Sequence, residues 1–420
     1  MKKTILSTSL LLWTLPALSA TFSLGGNYRF GTNMLINTDL ASGKKPGAGN
    51  SMSFLEQRFL LQPNVLVDER FSIKSELNFL QSTANGVQPD MGTPLDSRLS
   101  QATGTPATGT QLLYVRSAHL NWTSDWGLFR FGRIPKSWGL GILYDGGQDV
   151  FDDYSTITDR ADFQAMLGNL GLRVAFEKGA EGLLSNDADD IDTYELAVDY
   201  ANGSGDSNVG ILYSRNVRSL NLGKNSSHDL SIFVKKSFNR FQLGGEFVSI
   251  SEEKKSATNG ALFQVDYLQG PWRLGYDFAY ASSSSNSAYQ FHSNYKPFMF
   301  LFRQSLGTAT PINESRSGRG VGSDVAADGG SGALVNKGHA SYRFDSSQLT
   351  LGTNFGYAKL GSKGSNGSDS LGFETDLFVS QQWYENFKMQ YAVGLLIPGD
   401  AFGPSSKAAW GFELKGALEF

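Results

Sequence analysis

The stretch FRFGRIPKSWGLGILYDGGQDVFDDYSTITDRADF, residues 129–163, gathers a dense set of ionisable side chains around an apolar, glycine-rich run. Arg130, Arg133, Lys136, Asp145, Asp152, Asp153, Asp159 and Arg160 surround Trp138, Gly139, Leu140, Gly141 and Ile142. Cations and carboxylates held together across a narrow passage sort solutes by charge and size, without covalent chemistry. Proline cannot donate to a sheet ladder, so a strand ending at Arg133-Ile134-Pro135 must stop there. The run that follows is too apolar for a solvated tip. The expectation is a loop that folds back on the fold and sets these eight charges around a constriction. Trp138, Tyr144 and Tyr154 would offer flat faces on which sugar rings can stack. Two other readings of the segment stay open. One is a packed cap with no role in selection. The other is a Ca2+ site at Asp149, Asp152 and Asp153, although their spacing matches no defined calcium loop.

Other chemistries find little footing. Of the four histidines, His119, His228, His292 and His339, His228 neighbours Asp229 but would point to the opposite face of a strand, and His292 lies beside Ser293 in a polar loop; no local set of histidine, orienting group and nucleophile results, so no catalytic residue is assigned. Cysteine is absent, which removes disulfides, thiolate metal sites and a lipid-anchored cysteine. No phosphate-cradling glycine loop or basic nucleic-acid stripe is present, and no metal or cofactor is expected.

The elements that must position these charges read as strands. RFSIKSELNFL places Phe71, Ile73, Leu77 and Phe79 against Lys74, Glu76 and Asn78. PWRLGYDFAY sets Trp272, Leu274, Tyr276, Phe278 and Tyr280 against Arg273 and Asp277. Successive strand side chains point to opposite faces, so each segment has one apolar and one polar face. No run of roughly 18 apolar residues follows Thr21, so no membrane helix is available. Segments of about ten alternating residues, joined alternately by short and long polar links, are the pattern of a membrane β-barrel with a polar interior. Short links fall at 67–70, 123–127, around Gly168, and at 202–208, 237–241, 269–272, 344–348 and 383–387. Long ones fall at 37–50, 82–110, 136–158, 180–190, 218–227, 251–259, 282–333, 361–369 and 398–408. The fold class expected is therefore all-β, a transmembrane antiparallel barrel of about eighteen strands. An apolar segment inside the longest link, YKPFMFLFRQ at 295–304, would make the count odd if it spanned, and it is assigned to an inward-folded or extended outer loop.

The two ends of the chain fit that picture. Residues 1–20 carry two lysines, an apolar run, Pro16 and the small residues Ala17, Ser19 and Ala20, the layout of a secretory signal. Its removal leaves a barrel over 21–420 and takes the net charge from -4 to about -6. WGFELKGALEF, ending on Phe420, is expected to pair with TFSLGGNYRF and close the sheet. Trp410 and Phe420 would then lie in the aromatic girdles, with membrane lipid and lipopolysaccharide outside the wall; in proteins that resemble this one, a barrel-insertion machinery reads such a terminal aromatic.

A barrel this wide can hold water, so function depends on what lines and narrows its lumen. The polar parity of the strands puts Arg58, Lys74, Glu76, Arg173, Arg273, Asp277, Arg343, Glu374 and Asp376 on the lumen wall. Opposite signs nearly balance along the wall, and no strong single-sign field follows.

Two stretches resemble a known group. FRFGRIPKSWGLGILYDGG with Asp159-Arg160, and LGFETDLFVSQQWYENFKMQYAVGLLIPGDAFG at 371–403, are similar to segments of alginate-export-type outer-membrane barrels and related uncharacterised porin-like families. In the second, Gly372, Glu374, Asp376 and Leu377 precede Pro398, Gly399 and Phe402. The resemblance implies a monomeric barrel with a pore partly occluded by loops, Arg133 standing at the position that is basic in the exporters. The expectation from all of this is an outer-membrane channel for passive diffusion of ions and small hydrophilic solutes. An alginate-like polysaccharide export pore and a plugged surface barrel are the alternatives.

Overall fold

The computed structural model describes residues 20–37, 40, 51–82, 111–180, 191–220, 223–253, 256–284, 287–292, 294–302, 332–363, 367–402 and 406–420. The expected signal segment at 1–19 lies outside them. Among the described residues one sheet of 18 strands accounts for nearly all regular structure. In chain order these are β1 (Thr21–Ile36), β2 (Ser51–Leu66), β3 (Phe71–Ser82), β4 (Gln111–Ser124), β5 (Gly127–Pro135) and β6 (Ile157–Leu167). Then come β7 (Leu170–Ala180), β8 (Ile191–Ala201), β9 (Ser207–Leu220), β10 (Gly223–Phe238), β11 (Phe241–Glu252) and β12 (Thr258–Gln269). The last six are β13 (Trp272–Ala281), β14 (Ala333–Phe344), β15 (Leu349–Leu360), β16 (Ser370–Tyr384), β17 (Phe387–Pro398) and β18 (Ala409–Glu419).

Each strand pairs antiparallel with the next, and β18 returns to β1 over Asn27↔Glu419 to Ile36↔Trp410. The closing seam ends on a reciprocal pair: Gly26 N–H donates to the Phe420 carbonyl and Phe420 N–H to that of Gly26, each at 3.0 Å. A Cβ at Gly26 would stand 2.3 Å from the Leu60 carbonyl and 2.8 Å from the Phe420 ring, so only glycine lets the chain end lie this close. Closure leaves no edge, the condition for a sheet to live in hydrocarbon.

Burial is the reverse of a soluble protein's. On β8 the apolar Tyr194 and Leu196 are exposed while Thr193 and Glu195 are buried, and on β13 Leu274 and Tyr276 are exposed while Asp277 is buried. The large apolar side chains therefore face outward on the strands and the polar ones inward. Near the short turns the outer face carries aromatic rows, such as Phe71, Trp122, Phe129 and Phe163, with successive ring centroids 6.0, 5.0 and 4.6 Å apart. Rings of this kind mark the height of a membrane interface.

The short links stand where the sequence puts them. Among the described residues one long link differs: 218–220 and 223–227 are strand, since β9 and β10 pair out to Leu220↔Gly223; of the other long links, 41–50, 83–110, 181–190 and 303–331 lie outside the described set. Where a hairpin rises beyond the apolar band both faces meet water, and the apolar/polar alternation that betrays a strand disappears. The segment 295–302 does not span. Phe298, Met299, Phe300, Leu301 and Phe302 are buried inside the barrel, and the strand number stays even; residues 303–304 lie outside the described set. A short two-residue pair, Ser283–Ser284 with Ser287–Ala288, precedes that loop.

Candidate functional site

The principal apolar cluster of this molecule is made by two loops folded into the lumen and the wall they touch. After Pro135 ends β5, residues 136–156 cross the interior and attach to three stretches of wall. Lys136 enters first, with its Nζ 2.9 Å from Glu177 of β7 and 2.5 Å from Glu195 of β8. Burial alone would pull Lys136 below its usual range. Tyr144, Glu195 and Glu177 outweigh that and hold it protonated far into alkaline pH.

On the side of β10 and β11 the wall accepts what the loop donates. Trp138 Nε1–H donates to Ser231 Oγ at 3.0 Å, Leu140 N–H to Glu246 Oε2 at 2.5 Å, and Tyr144 O–H to Asp229 Oδ2 at 3.1 Å. On the side of β1 to β4 the roles reverse, and arginines donate to loop carbonyls. Arg29 and Arg58 each reach the Asp152 carbonyl at 2.9 Å, and Arg116 reaches those of Gly146 and Gly147 at 3.1 and 3.0 Å. Hydrogen bonds to charged groups are the strong ones, so the loop is stapled at both ends of its crossing.

The second loop, after β13, hangs on two carboxylates of β16. Phe300 and Leu301 N–H donate to Glu374 at 2.6 and 2.8 Å, and Met299 N–H donates to Asp376 at 3.2 Å. The loops also hold one another. Ile142 carbonyl accepts from His292 N–H at 2.9 Å and Tyr289 O–H at 3.0 Å, Tyr154 exchanges two hydrogen bonds with Asn294, and Lys296 pairs with Asp153. Two elements far apart in sequence thus make one interlocked partition.

The wall around this partition is electrically lopsided. Inward bases crowd β1 to β7: Arg29, Arg58, Lys74, Arg116, Arg130, Arg160 and Arg173. Glu76, Asp162, Glu177 and Glu195 compensate them in part, through Arg116–Glu76 at 2.7 Å, a two-bonded Arg130–Asp162 pair, and Arg160 and Arg173 on Glu195. Across the lumen, acids on β10 to β18 include Asp229, Glu246, Asp277, Glu374 and Asp376; of the bases there, Lys337 is paired with Asp277 at 2.7 Å and Arg273 with Asp266 at 2.7 Å, while Lys235 and Lys388 lie against the rings of Phe233 and Phe151. Balanced composition conceals a field that runs from wall to wall.

Of the eight constriction residues read from sequence, Arg130, Lys136, Asp145, Asp152, Asp153 and Arg160 lie on the inward wall or in the inward loop. Arg133 and Asp159 do not. They pair with each other at 2.9 Å on the face that carries Phe129 and Phe131, because Arg133 lies three positions on from Arg130 and an odd step along a strand reverses the face. Trp138 and Tyr144 are not open stacking platforms. The Trp138 ring packs edge-on against Phe233 at 4.9 Å, and Lys136 covers Tyr144 at 3.6 Å. Of the expected wall residues, Arg343 stands at the short-turn mouth, beside Asp345. Sequence reading left out Arg29, Arg116, Asp162 and Asp229. The phase of β4 slips between Glu76 and Leu77 of its partner, so simple alternation hides Arg116; the other three sit on the correct parity.

The calcium reading finds no ligand set. Asp149 and Asp152 carboxylates accept N–H groups of Phe151 and Asp149, Asp153 is paired with Arg29 and Lys296, and no metal-holding group of three or more such side chains occurs among the described residues. His339 is held by Asp266 at 2.8 Å, yet its Nδ1 meets no hydrogen-bond partner among the described residues, and so no nucleophile.

No family model and no curated protein matches the chain. Solved structures do. OccK9 (OpdG) of Pseudomonas aeruginosa superposes with a TM-score of 0.59 at 12% identity, over 95% of this chain and 98% of that one. The outer membrane protein opdK of Pseudomonas aeruginosa gives 0.57 at 10%, over 95% and 98%. OccAB4 of Acinetobacter baumannii gives 0.54 at 11%, over 94% and 98%. The fold shared with them is a closed antiparallel β-barrel, of 18 strands among the described residues here. At such identities the likeness concerns the fold alone, and the resemblance to alginate exporters gains nothing from these comparisons.

Proposed function

We propose that this porin-type barrel is a passive outer-membrane channel for ions and small hydrophilic solutes, narrowed by the two interlocked inward loops. The carrying observation is the partition itself: a polar lumen crossed by residues 136–156 and 287–302, with a basic wall facing an acidic one. Such a passage sorts solutes by size and by the orientation of their charge, and it needs no cofactor. Export of an alginate-like polysaccharide would call for aromatic faces open to the lumen, and burial of Trp138 and Tyr144 leaves only Tyr154 of the three expected.

The test is single-channel recording with the full barrel refolded into a planar bilayer. A stable conductance with a defined reversal potential in a salt gradient is expected. A folded, inserted barrel that stays silent toward salt and small solutes would overturn the channel and leave the plugged surface barrel, which the same two loops would also build.

A further inference from the structure

Arg133 and Asp159 open onto a feature of the outer wall that the channel does not use. Across β5 to β8 the outward residues Arg133, Asp159, Lys178 and Asp192 follow one another in register, with ion pairs Arg133–Asp159 at 2.9 Å and Lys178–Asp192 at 3.1 Å. The row continues, one step lower, into Arg215 of β9 opposite His228 of β10. Both point outward, since Ser214, Asn216 and Asp229 are joined to each other on the lumen side. Tyr213 O–H meets His228 Nδ1 at 2.7 Å beside them. Arg215 is exposed and has no ion pair among the described residues.

Three strands across the barrel differ at this height. Asp159, Lys178 and Arg215 each stand eight residues from the short-turn end of their strands; Tyr280, Tyr357 and Leu395 hold that place on β13, β15 and β17. Eight tilted residues rise about 20 Å, near the outer limit of an apolar band about 25 Å tall. The strands β6, β7 and β9 therefore show ions where β13, β15 and β17 show apolar and aromatic side chains to lipid, with Asn336 of β14 at the same step and Lys359 of β15 one outward step higher.

We propose that this arc seats the phosphate groups of outer-leaflet lipopolysaccharide, with Arg215 and His228 as the contact and the Lys178–Asp192 pair at its flank. An unpaired guanidinium at the edge of the apolar band, with a tyrosine-held imidazole beside it, complements a phosphate carried on a lipid at that depth. The assignment rests on the usual orientation of such barrels, short turns in the periplasm and long loops outside, but not on conduction, so a silent barrel that holds lipid separates failure of the two ideas.

The experiment folds the full chain into vesicles containing diphosphorylated lipid A or its dephosphorylated counterpart, and counts lipid retained on the released barrel by native mass spectrometry. Wild type is expected to favour the phosphorylated form. The variant Arg215→Gln/His228→Gln should lower that preference by at least about fivefold, the loss expected for the Arg215 charge alone, while Arg343→Gln at the opposite mouth keeps it. Equal retention of the two lipids by wild type, or an unchanged preference in the double variant, overturns the proposal. So does a dimer that vanishes with Arg215→Gln, which would assign the arc to a second copy. If the double variant fails to fold, Arg215→Lys and the wild-type lipid comparison decide instead.

Discussion

Lys136 is the buried cation on which the first inward loop turns into the lumen, with Glu177 and Glu195 both within reach. Its replacement by methionine leaves carboxylates in a dry site with part of their compensation gone. Removal of one partner from a buried ionic cluster costs about 3 to 5 kcal/mol. Lys136→Met should lower the midpoint of denaturant unfolding and raise single-channel conductance as the loop comes away, both read on the same refolded barrel. Asp152 adds a pH term. Burial, then the neighbouring Asp145 and Asp149 charges, push its carboxyl up to about 6 against the Asp149 N–H bond. A raised carboxyl pKa means that its contribution to the folded loop is complete in acid and is lost as pH rises through about 6. Closed intervals should therefore be longer at pH 5 than at pH 7.5, and Asp152→Asn should flatten that dependence; equal dwell times in wild type at the two values would refute it. At this scale the sequence was legible in kind and only partly in place. The dense charges of 129–163 do border the partition, and Arg133 left it for a reason that spacing alone contains.

At the scale of elements, the interlock predicts coupled motion. Residues 136–156 and the loop after β13 are bonded through Ile142, Tyr154, Asn294 and Lys296, so neither can leave the lumen without breaking its bonds to the other. Glu374→Ala strands the Phe300 and Leu301 N–H groups, a loss of about 2 kcal/mol for charge-assisted bonds. The expected record has one enlarged level reached in single steps, and a ladder of independent sublevels would show that the loops move apart. Short turns were readable because alternating strands frame them. The hairpin tip at 218–227 was not, because polar residues on both faces of a strand in water look like a loop. YKPFMFLFRQ was readable as an interior segment through the parity of the whole barrel, although nothing in its own composition names Glu374 as its anchor.

For the whole molecule, selectivity should follow the wall-to-wall charge separation. Lys74 faces the lumen from the basic side and is solvent-exposed, so Lys74→Glu changes the field with a stability effect within about 0.5 kcal/mol. The reversal potential should move toward cation selectivity, with the unfolding midpoint unchanged. Counting signs along the sequence could not reveal this, since a field depends on which strand each charge occupies around the circumference. The seam has a consequence in time. Gly26 and Phe420 are bonded to each other, so the first strand must wait for the last residue of the chain before its outer edge is satisfied. Neighbouring strands can zip early through short turns, but this contact spans almost the full chain and joins last. Until then the protein is an open sheet with two sticky borders, and only the pairing of β18 with β1 removes them.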